Sequence, residues 1–345
     1  MSRKPQSTSP ARLVVVVSLC CLFVVGLGSV AQAQVGISLE IPASVRGEAM
    51  GGMYLTQSTD YSARWGNPAT LAFMDKGVLG TMYSALVPDL ADDVFYSFTG
   101  WVTPIQGLGT MGLDLTYLSY GESEGTDSEG RPTGTFTSYE VSPAVGFGFK
   151  FLPNLGVGIS AKYIRIDLAP AFVLSDPGSP GSGVGTSWAF DLGALYSNGP
   201  LRLGATVSNL GPDVTFIDAQ QSDPLPRLFR GGANYDILNN SVGEVRIGVE
   251  YEQSLVVGTA TTVNDAGTSV TNDVWQSPVY HVGGEFVYGG VFAVRAGFMD
   301  DKDGDVSDWT AGFGFTWANA ALEYASAPQA QSLDRVNRFA LWYKY

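Results

Sequence analysis

The sequence is poor in the side chains on which most enzymes and metal sites depend. It holds one histidine, His281, and two cysteines, Cys20 and Cys21, which both lie near the N-terminus. A lone histidine without a plausible nucleophile partner is more typical of a hydrogen-bonded structural residue than of a catalyst. The sequence therefore predicts a protein that is not an enzyme and has no resident metal or cofactor. Once a leader carrying both cysteines is removed, it also has no disulfide or thiol chemistry.

Charged residues are also scarce, and acids outnumber bases. Asp, Glu, Lys and Arg make up 15% of the chain, and the formal net charge is −14. This excess of negative charge argues against nucleic acid and anionic surfaces as partners. Beyond residue 33 there is no apolar run as long as the ~20 residues that a membrane-spanning helix requires.

The first 33 residues have the layout of a secretory signal peptide. Three basic residues precede an apolar run over 13–27, and residues 31–33 read Ala-Gln-Ala, a small-residue cleavage site. The run is shorter than a transmembrane anchor, which is the alternative. We expect cleavage before Gln34. Removal of this leader makes the net charge more negative, because the leader carries bases and no acids.

From residue 76 onward the chain alternates between apolar and small or charged residues. In 145–151, Val145 and three phenylalanines share one face, whereas Gly146, Gly148 and Lys150 share the other. The same period of two recurs at 201–208, 245–252, 292–298 and 310–317. A soluble β-sandwich also alternates, but its strands are nearer five or six residues. The long segments favour a membrane barrel whose apolar face contacts lipid and whose small or charged face lines the lumen.

The turn signals divide residues 76–345 into about fourteen strands, an even number as bacterial outer-membrane barrels require. We predict strands near 76–87, 93–104, 109–121, 137–151, 155–169, 185–197, 201–210, 225–238, 242–256, 273–288, 292–301, 308–318, 320–328 and 335–345. The connections fall alternately into two classes. Those at 105–108, 152–154, 198–200, 239–241, 289–291 and 319 are tight, and those at 122–136, 170–184, 211–224, 257–272 and 302–307 are longer. Such asymmetry is typical of periplasmic turns and outer loops.

A different pattern precedes the barrel. Residues 46–73 are rich in turn formers and follow no steady period, yet they carry several large apolar side chains. A barrel of about fourteen strands encloses more space than its small inward side chains fill. The sequence therefore predicts an all-β transmembrane antiparallel barrel over 76–345, with residues 34–75 as a hatch in its lumen.

Two sets of motifs resemble the PorV/PorQ family, relatives of the FadL-type outer-membrane barrels. Ala49-Met50-Gly51-Gly52, Asp60 and Asn67-Pro68-Ala69 resemble its N-terminal signature. A second block of the family resembles Asn209-Leu210-Gly211-Pro212, Pro224-Leu225-Pro226 and Phe229-Arg230-Gly231-Gly232. The order and spacing of these short motifs carry the resemblance, which spans most of the mature chain.

The resemblance implies a location in the outer membrane of a Gram-negative-type bacterium. It leaves three functions open, of which a PorV-like link to protein secretion is favoured. PorV-like members belong to the type IX secretion system and receive cargo proteins, whereas FadL-type barrels pass hydrophobic small molecules. A purely structural barrel is the third possibility, and an outer-membrane lipid hydrolase is the enzyme alternative. The expected partners are outer-membrane lipid, the barrel-assembly machinery, and either secretion components with cargo or hydrophobic compounds. The candidate hatch and ligand-path residues are Met50, Gly51, Gly52, Met53, Asp60, Trp65, Asn67, Pro68, Ala69 and Leu71.

Strand parity also assigns a set of polar side chains to the lumen. Their signs are mixed, which favours ion pairs across the lumen over a permeation path. The predicted lumen-facing residues are Asp114, Lys150, Lys162, Asp191, Arg202, Arg230, Arg246, Glu250, His281, Glu285, Arg295 and Glu323.

Residues 300–305 form an acidic stretch with some likeness to a calcium loop. Val306 stands where a helix-loop-helix calcium motif needs glycine, and no glutamate follows at the final position. A solvated acidic loop is the favoured interpretation, and no metal site is predicted.

One register prediction is specific to a single pair. A two-residue turn after Tyr288 would mix the two faces, so we expect a three-residue loop at 289–291 with glycine at its positive φ positions. Tyr288 then lies opposite Phe292, and Glu285 lies directly across from Arg295 on the lumen side.

Overall fold

The computed structural model describes residues 35–57, 59–126, 129–169, 183–216, 222–263, 269–329 and 333–345. The predicted signal peptide, its cleavage site before Gln34 and both cysteines lie outside the described residues.

Fourteen strands form a closed antiparallel barrel, so the predicted fold class and strand number are confirmed. Each strand pairs with its neighbour in the chain, and the last strand pairs with the first from Val78↔Lys344 to Ala85↔Asn337. Closure leaves no strand edge unpaired in lipid. The barrel strands are β1 Val78–Ala85, β2 Val94–Ile105, β3 Gly109–Thr126, β4 Pro132–Leu152, β5 Leu155–Asp167, β6 Val184–Asn198, β7 Leu201–Leu210, β10 Leu228–Asn239, β11 Gly243–Ser254, β14 Val279–Tyr288, β15 Phe292–Asp301, β16 Val306–Trp317, β17 Ala320–Ala327 and β18 Val336–Lys344.

Four further strands form two hairpins outside the barrel sheet. They are β8 Val214–Thr215 with β9 Ser222–Asp223, and β12 Val257–Val263 with β13 Ser269–Trp275. Two boundary predictions were therefore wrong. Most of the loop predicted at 257–272 belongs to a hairpin, and the strand predicted from 273 begins at Val279.

The loop predicted at 122–136 is also shorter than expected, because β3 continues to Thr126 and β4 starts at Pro132. The reason is the same at both sites. A paired hairpin beyond the bilayer has water on both faces, so neither face needs to be apolar. A polar sequence without an apolar face is then predicted to be a loop.

Connection length separates the two ends of the barrel, as predicted. One end carries turns of two or three residues, at 106–108, 153–154, 199–200, 240–242, 289–291 and 318–319. The other end carries the connections 86–93, 127–131, 168–183, 211–227, 255–278, 302–305 and 328–335. In outer-membrane barrels the tight turns are periplasmic and the long connections are extracellular.

Burial alternates along the strands and identifies the two faces of the wall. On β15 the side chains of Phe292 and Val294 are exposed, whereas Ala293 and Arg295 between them are buried. The exposed apolar face is the one that contacts lipid, and the buried face points to the lumen.

Residues 35–75 are called here the N-terminal segment, and their described part contains only short helical turns. These are α1 Val45–Glu48, α2 Ala63–Gly66 and the 3-10 turns Ile37–Leu39 and Pro68–Phe73. Ser44 caps α1 by accepting a hydrogen bond from the Gly47 N–H. In the part of the chain that the structure describes, no helix is long and apolar enough to cross a bilayer.

Candidate functional site inside the barrel

The N-terminal segment packs against lumen-facing residues around the whole wall. Met50 and Met53 contact the side formed by β11, β14 and β15, whereas Pro68 and Leu71 contact the side formed by β3 to β6. The side chains of Met50, Met53 and Leu71 have no exposed surface. Residues predicted as a ligand path are thus packed into the interior together.

At residues 50–52 the backbone of the N-terminal segment lies directly against the backbone of the barrel wall. Gly51 and Gly52 adopt φ values of 80° and 84°, a region that favours glycine. The Gly51 N–H donates to Thr310 Oγ1 at 2.7 Å. A Cβ atom on Gly283 or Gly297 would overlap the backbone of Met50 or Gly51. Glycine is therefore required on both sides of this contact.

The turn at Asn67 holds the N-terminal segment against the opposite wall, which β3 to β6 form. Asn67 Oδ1 accepts from the Ala69 N–H at 3.0 Å, and its Nδ2 donates to the Leu55 carbonyl at 2.9 Å. Pro68 occupies the first position of the following turn, where its fixed φ suits the helix. A Cβ atom on Gly158 would overlap Pro68, so this turn lies directly against the wall.

A carboxylate from the wall binds the middle of the segment. Glu250 accepts hydrogen bonds from the backbone N–H groups of Tyr54 at 3.0 Å and Leu55 at 2.8 Å. Asp60, in contrast, accepts from the N–H and hydroxyl of Ser62 and so stabilises a turn within the segment.

Arg64 is the centre of a buried ion cluster on the β3 to β6 side. Its Nη2 donates to Asp114 Oδ1 at 2.8 Å, and its Nη1 lies 3.3 Å from Asp191 Oδ2. Lys162 Nζ lies 2.9 Å from Asp191 Oδ1. Parity predicted the three wall residues, but it missed Arg64 because residues 46–73 have no period. The available signal was an arginine in a segment that the sequence already places inside the lumen.

Glu285 is the centre of a second cluster on the opposite wall. It accepts hydrogen bonds from Arg46 Nε at 2.9 Å, Arg246 Nη1 at 3.1 Å and Arg295 Nε at 2.6 Å. The cluster continues from Arg295 to Glu323, and from Arg246 through Asp236 to Arg202. The sequence interpretation missed Arg46 and Asp236.

The remaining predicted residues have separate environments. The guanidinium of Arg230 pairs with Glu252 and lies 4.9 Å from the ring centre of Tyr54 and 6.0 Å from that of Trp65. Lys150 has the lumen parity but is exposed, and its Nζ lies 5.2 Å above the ring of Phe73.

His281 lies between the N-terminal segment and Glu252, and the acidic stretch forms a turn of its own. His281 Nδ1 lies 2.7 Å from the Gly51 carbonyl oxygen, and its Nε2 lies 3.7 Å from Glu252. Asp301 Oδ1 accepts from the backbone N–H groups of Asp303 and Gly304, so it is part of its own turn. Among the described residues there is no group of three or more His, Cys, Asp or Glu side chains that could hold a metal ion.

One carboxyl of the N-terminal segment has a perturbed acidity. Burial raises the pKa of Glu40 from 4.5 to about 7, and the nearby negative charge of Glu252 adds to this effect. Arg230 acts in the opposite direction.

Comparison with solved structures shows the fold. A toluene transporter of Ralstonia pickettii, TbuX, aligns with TM-score 0.53 and 17% identity, over 87% of this chain and 97% of that chain. The toluene transporter TodX of Pseudomonas putida aligns with TM-score 0.51 and 14% identity, over 87% and 96%. The monoaromatic hydrocarbon channel CymD aligns with TM-score 0.53 and 14% identity, over 88% and 97%.

No curated protein matches the sequence. The family model of the type IX secretion system protein PorV, however, matches residues 30–262 of the 345. The chain, an outer-membrane β-barrel, therefore belongs to the PorV family.

Proposed function

We propose that this barrel receives secreted proteins at the outer membrane and that its lumen is not their route. The observation that carries the proposal is the occupied interior, where ion clusters around Arg64 and Glu285 join the N-terminal segment to opposite walls. A folded cargo protein has no room in such a lumen. The family match to PorV supports a role in type IX secretion.

The N-terminal segment is, in this proposal, a hatch that keeps the barrel closed. The guanidinium groups of Arg46 and Arg64 are largely buried and pair with carboxylates on the wall, which makes partial release costly. Met50, Gly51, Gly52 and Met53 hold one side of the hatch, and the Asn67–Leu71 stretch holds the other.

Cargo and secretion components would dock on the end that carries the long connections. The hairpin of β12 and β13 extends the chain at this end. Loops on a rigid scaffold are where binding residues concentrate. The tight turns of the opposite end offer little surface to a partner.

A secretion assay tests the proposal. In a strain without the gene, we expect cargo proteins to accumulate inside the cell, and the full-length protein to restore secretion. A variant in which a Gly-Ser turn replaces residues 257–275 should insert normally but fail to restore secretion. Replacement of the tight turn 240–242 is the matched control and should restore it. Normal secretion without the gene would overturn the proposal.

Transport of hydrophobic small molecules is the second candidate, and the specific support is the fold shared with TbuX, TodX and CymD. In this alternative the hatch residues line a path that opens when the hatch moves. The test is uptake of labelled toluene by vesicles that contain the barrel, compared with empty vesicles. Faster uptake supports transport, whereas equal uptake supports a closed barrel that receives secreted proteins or has a structural role.

We also propose that maturation follows the secretory route. The leader is removed before Gln34, and the barrel-assembly machinery inserts the chain. N-terminal sequencing of the protein from outer membranes tests the cleavage site.

A further inference from the structure

An apolar groove of about 530 Å³ crosses the outer face of the barrel wall. Exposed side chains of Ile247, Val282 and Trp309 stand along it. Among the described residues, no charged side chain lines the groove. The lining residues are Leu201, Ala233, Asn234, Tyr235, Ile247, Gly248, Val249, Val282, Gly283, Gly284, Ala296, Gly297 and Trp309.

Strand register explains the part of the groove that lies on β14 and β15. Gly284 on β14 lies opposite Ala296 on β15, and Ala296 lies opposite Ala311 on β16. All three have the outward parity, so three small residues stand side by side across the strands. The neighbouring outward rows are large: Val282, Phe298 and Trp309 on one side, and Phe286, Val294 and Phe313 on the other.

The small residues on the outer face are not explained by packing inside the barrel. Gly283 and Gly297 must be glycine because the backbone of Met50 and Gly51 lies against them in the lumen. Gly284 points the opposite way. A Cβ atom there would have the Arg246 carbonyl oxygen, at 3.3 Å, as its nearest neighbour. That contact is tight but does not overlap, so packing inside the lumen does not itself require glycine at 284.

We propose that this groove binds one acyl chain of an outer-membrane lipid. The groove is continuous with the exposed apolar face that contacts the bilayer, so lipid chains surround it. Its lining has no charge to recognise a headgroup, and a concave apolar surface fits a flexible hydrocarbon chain better than the flat wall does. This inference rests on the membrane barrel alone and is independent of the proposed role in secretion.

Retention of lipid by the purified barrel tests the proposal. The barrel is loaded with a phospholipid of defined chain length, exchanged into detergent and measured by native mass spectrometry. The variants Gly284→Phe and Ala296→Phe fill the groove, and Ala161→Phe on the outward face of β5 is the matched control. Each methylene displaced from the groove lowers affinity about fourfold. We expect one retained lipid in the wild type and the control, and at least about tenfold less in the filled variants.

A second measurement tests whether the acyl chain of the lipid lies in the groove. Lipid with a brominated acyl chain should quench the fluorescence of Trp309, measured as the difference between the wild type and Trp309→Phe. Folding of every variant is checked by its heat-dependent mobility on a gel, and Ala296→Leu replaces any phenylalanine variant that does not fold. Equal lipid retention by filled and control variants overturns the proposal. So does a co-purified polypeptide, in place of lipid, that the filled variants lose.

Discussion

Glu285 and Arg295 lie directly opposite each other on adjacent strands, and Arg295 Nε donates to Glu285 Oε2 at 2.6 Å. Tyr288 lies opposite Phe292, and the loop between them contains Gly289 at φ 58° and Gly290 at φ 69°. The three-residue loop and the pair were predicted, and the structure confirms both. The structure adds that Arg46 of the N-terminal segment binds the same carboxylate.

Neutralising Glu285 should destabilise the barrel strongly. Glu285→Gln leaves three buried guanidinium groups without their shared carboxylate, which costs about 3–5 kcal/mol of unfolding free energy. Denaturant unfolding in lipid vesicles measures this change. Glu129→Gln, which removes an exposed ion pair with Arg131, is the control and should cost less than about 1 kcal/mol. Similar losses in the two variants would contradict the buried network.

Removing the N-terminal segment should open the lumen. A variant without residues 35–74 retains the sequence of all fourteen strands but loses Arg46 and Arg64, which join the N-terminal segment to opposite walls. We expect higher ion conductance in planar bilayers and faster solute entry into vesicles than for the full-length barrel. Unchanged conductance, with strand content intact by circular dichroism, would disprove the hatch role.

A methyl group should destabilise the barrel more at Gly283 than at the adjacent Gly284. Gly283→Ala forces the Met50–Gly52 turn away from the wall, which costs about 1–3 kcal/mol as an overpacked contact. Gly284→Ala adds the same methyl group on the lipid face, where its nearest neighbour is the Arg246 carbonyl oxygen at 3.3 Å, and should cost less than Gly283→Ala. Hydrogen exchange at the Gly51 N–H, which donates to Thr310, reports the difference. Faster exchange in Gly284→Ala than in Gly283→Ala would show that the faces are assigned wrongly.

Cysteines introduced at the two ends of the barrel should be accessible to a labelling reagent from opposite sides of the membrane. A chain cleaved before Gln34 contains no cysteine, so single cysteines can be introduced at the exposed Glu129 and Ser241. We expect a membrane-impermeant maleimide to label Glu129→Cys in intact cells, and Ser241→Cys only after the outer membrane is opened. The reverse pattern would invert the topology.

Glu40 should make the docking of the N-terminal segment depend on pH. Its pKa of about 7 in the folded protein exceeds the ordinary 4.5, so its contribution to stability is complete below pH 4.5 and is lost as pH rises to 7. Because Glu40 is partly exposed, we expect Glu40→Gln to gain on the order of 1 kcal/mol at pH 8 and nothing at pH 4. Hydrogen exchange of residues 35–41 at both pH values measures the gain. If hydrogen exchange changed with pH in the same way in the wild type and in Glu40→Gln, the raised pKa of Glu40 would be contradicted.

The sequence by itself determined the features that depend on local rules. Side-chain parity has a period of two in any strand, so residues such as Lys162, Glu250 and Arg295 could be assigned to one face without coordinates. Turn length then set the register of Glu285 against Arg295, because each residue of the loop shifts the pairing. The number of strands followed from the spacing of turn residues.

Only the tertiary structure decided which inward charges meet and what holds the N-terminal segment. Arg46 and Glu285 are 239 positions apart, and Arg64 and Asp114 are 50 apart, so no periodicity links them. The hairpin of β12 and β13 was missed for another reason, because strands that leave the bilayer no longer need an apolar face. Barrel closure brings such distant residues together, and burial then requires each charge to find a partner.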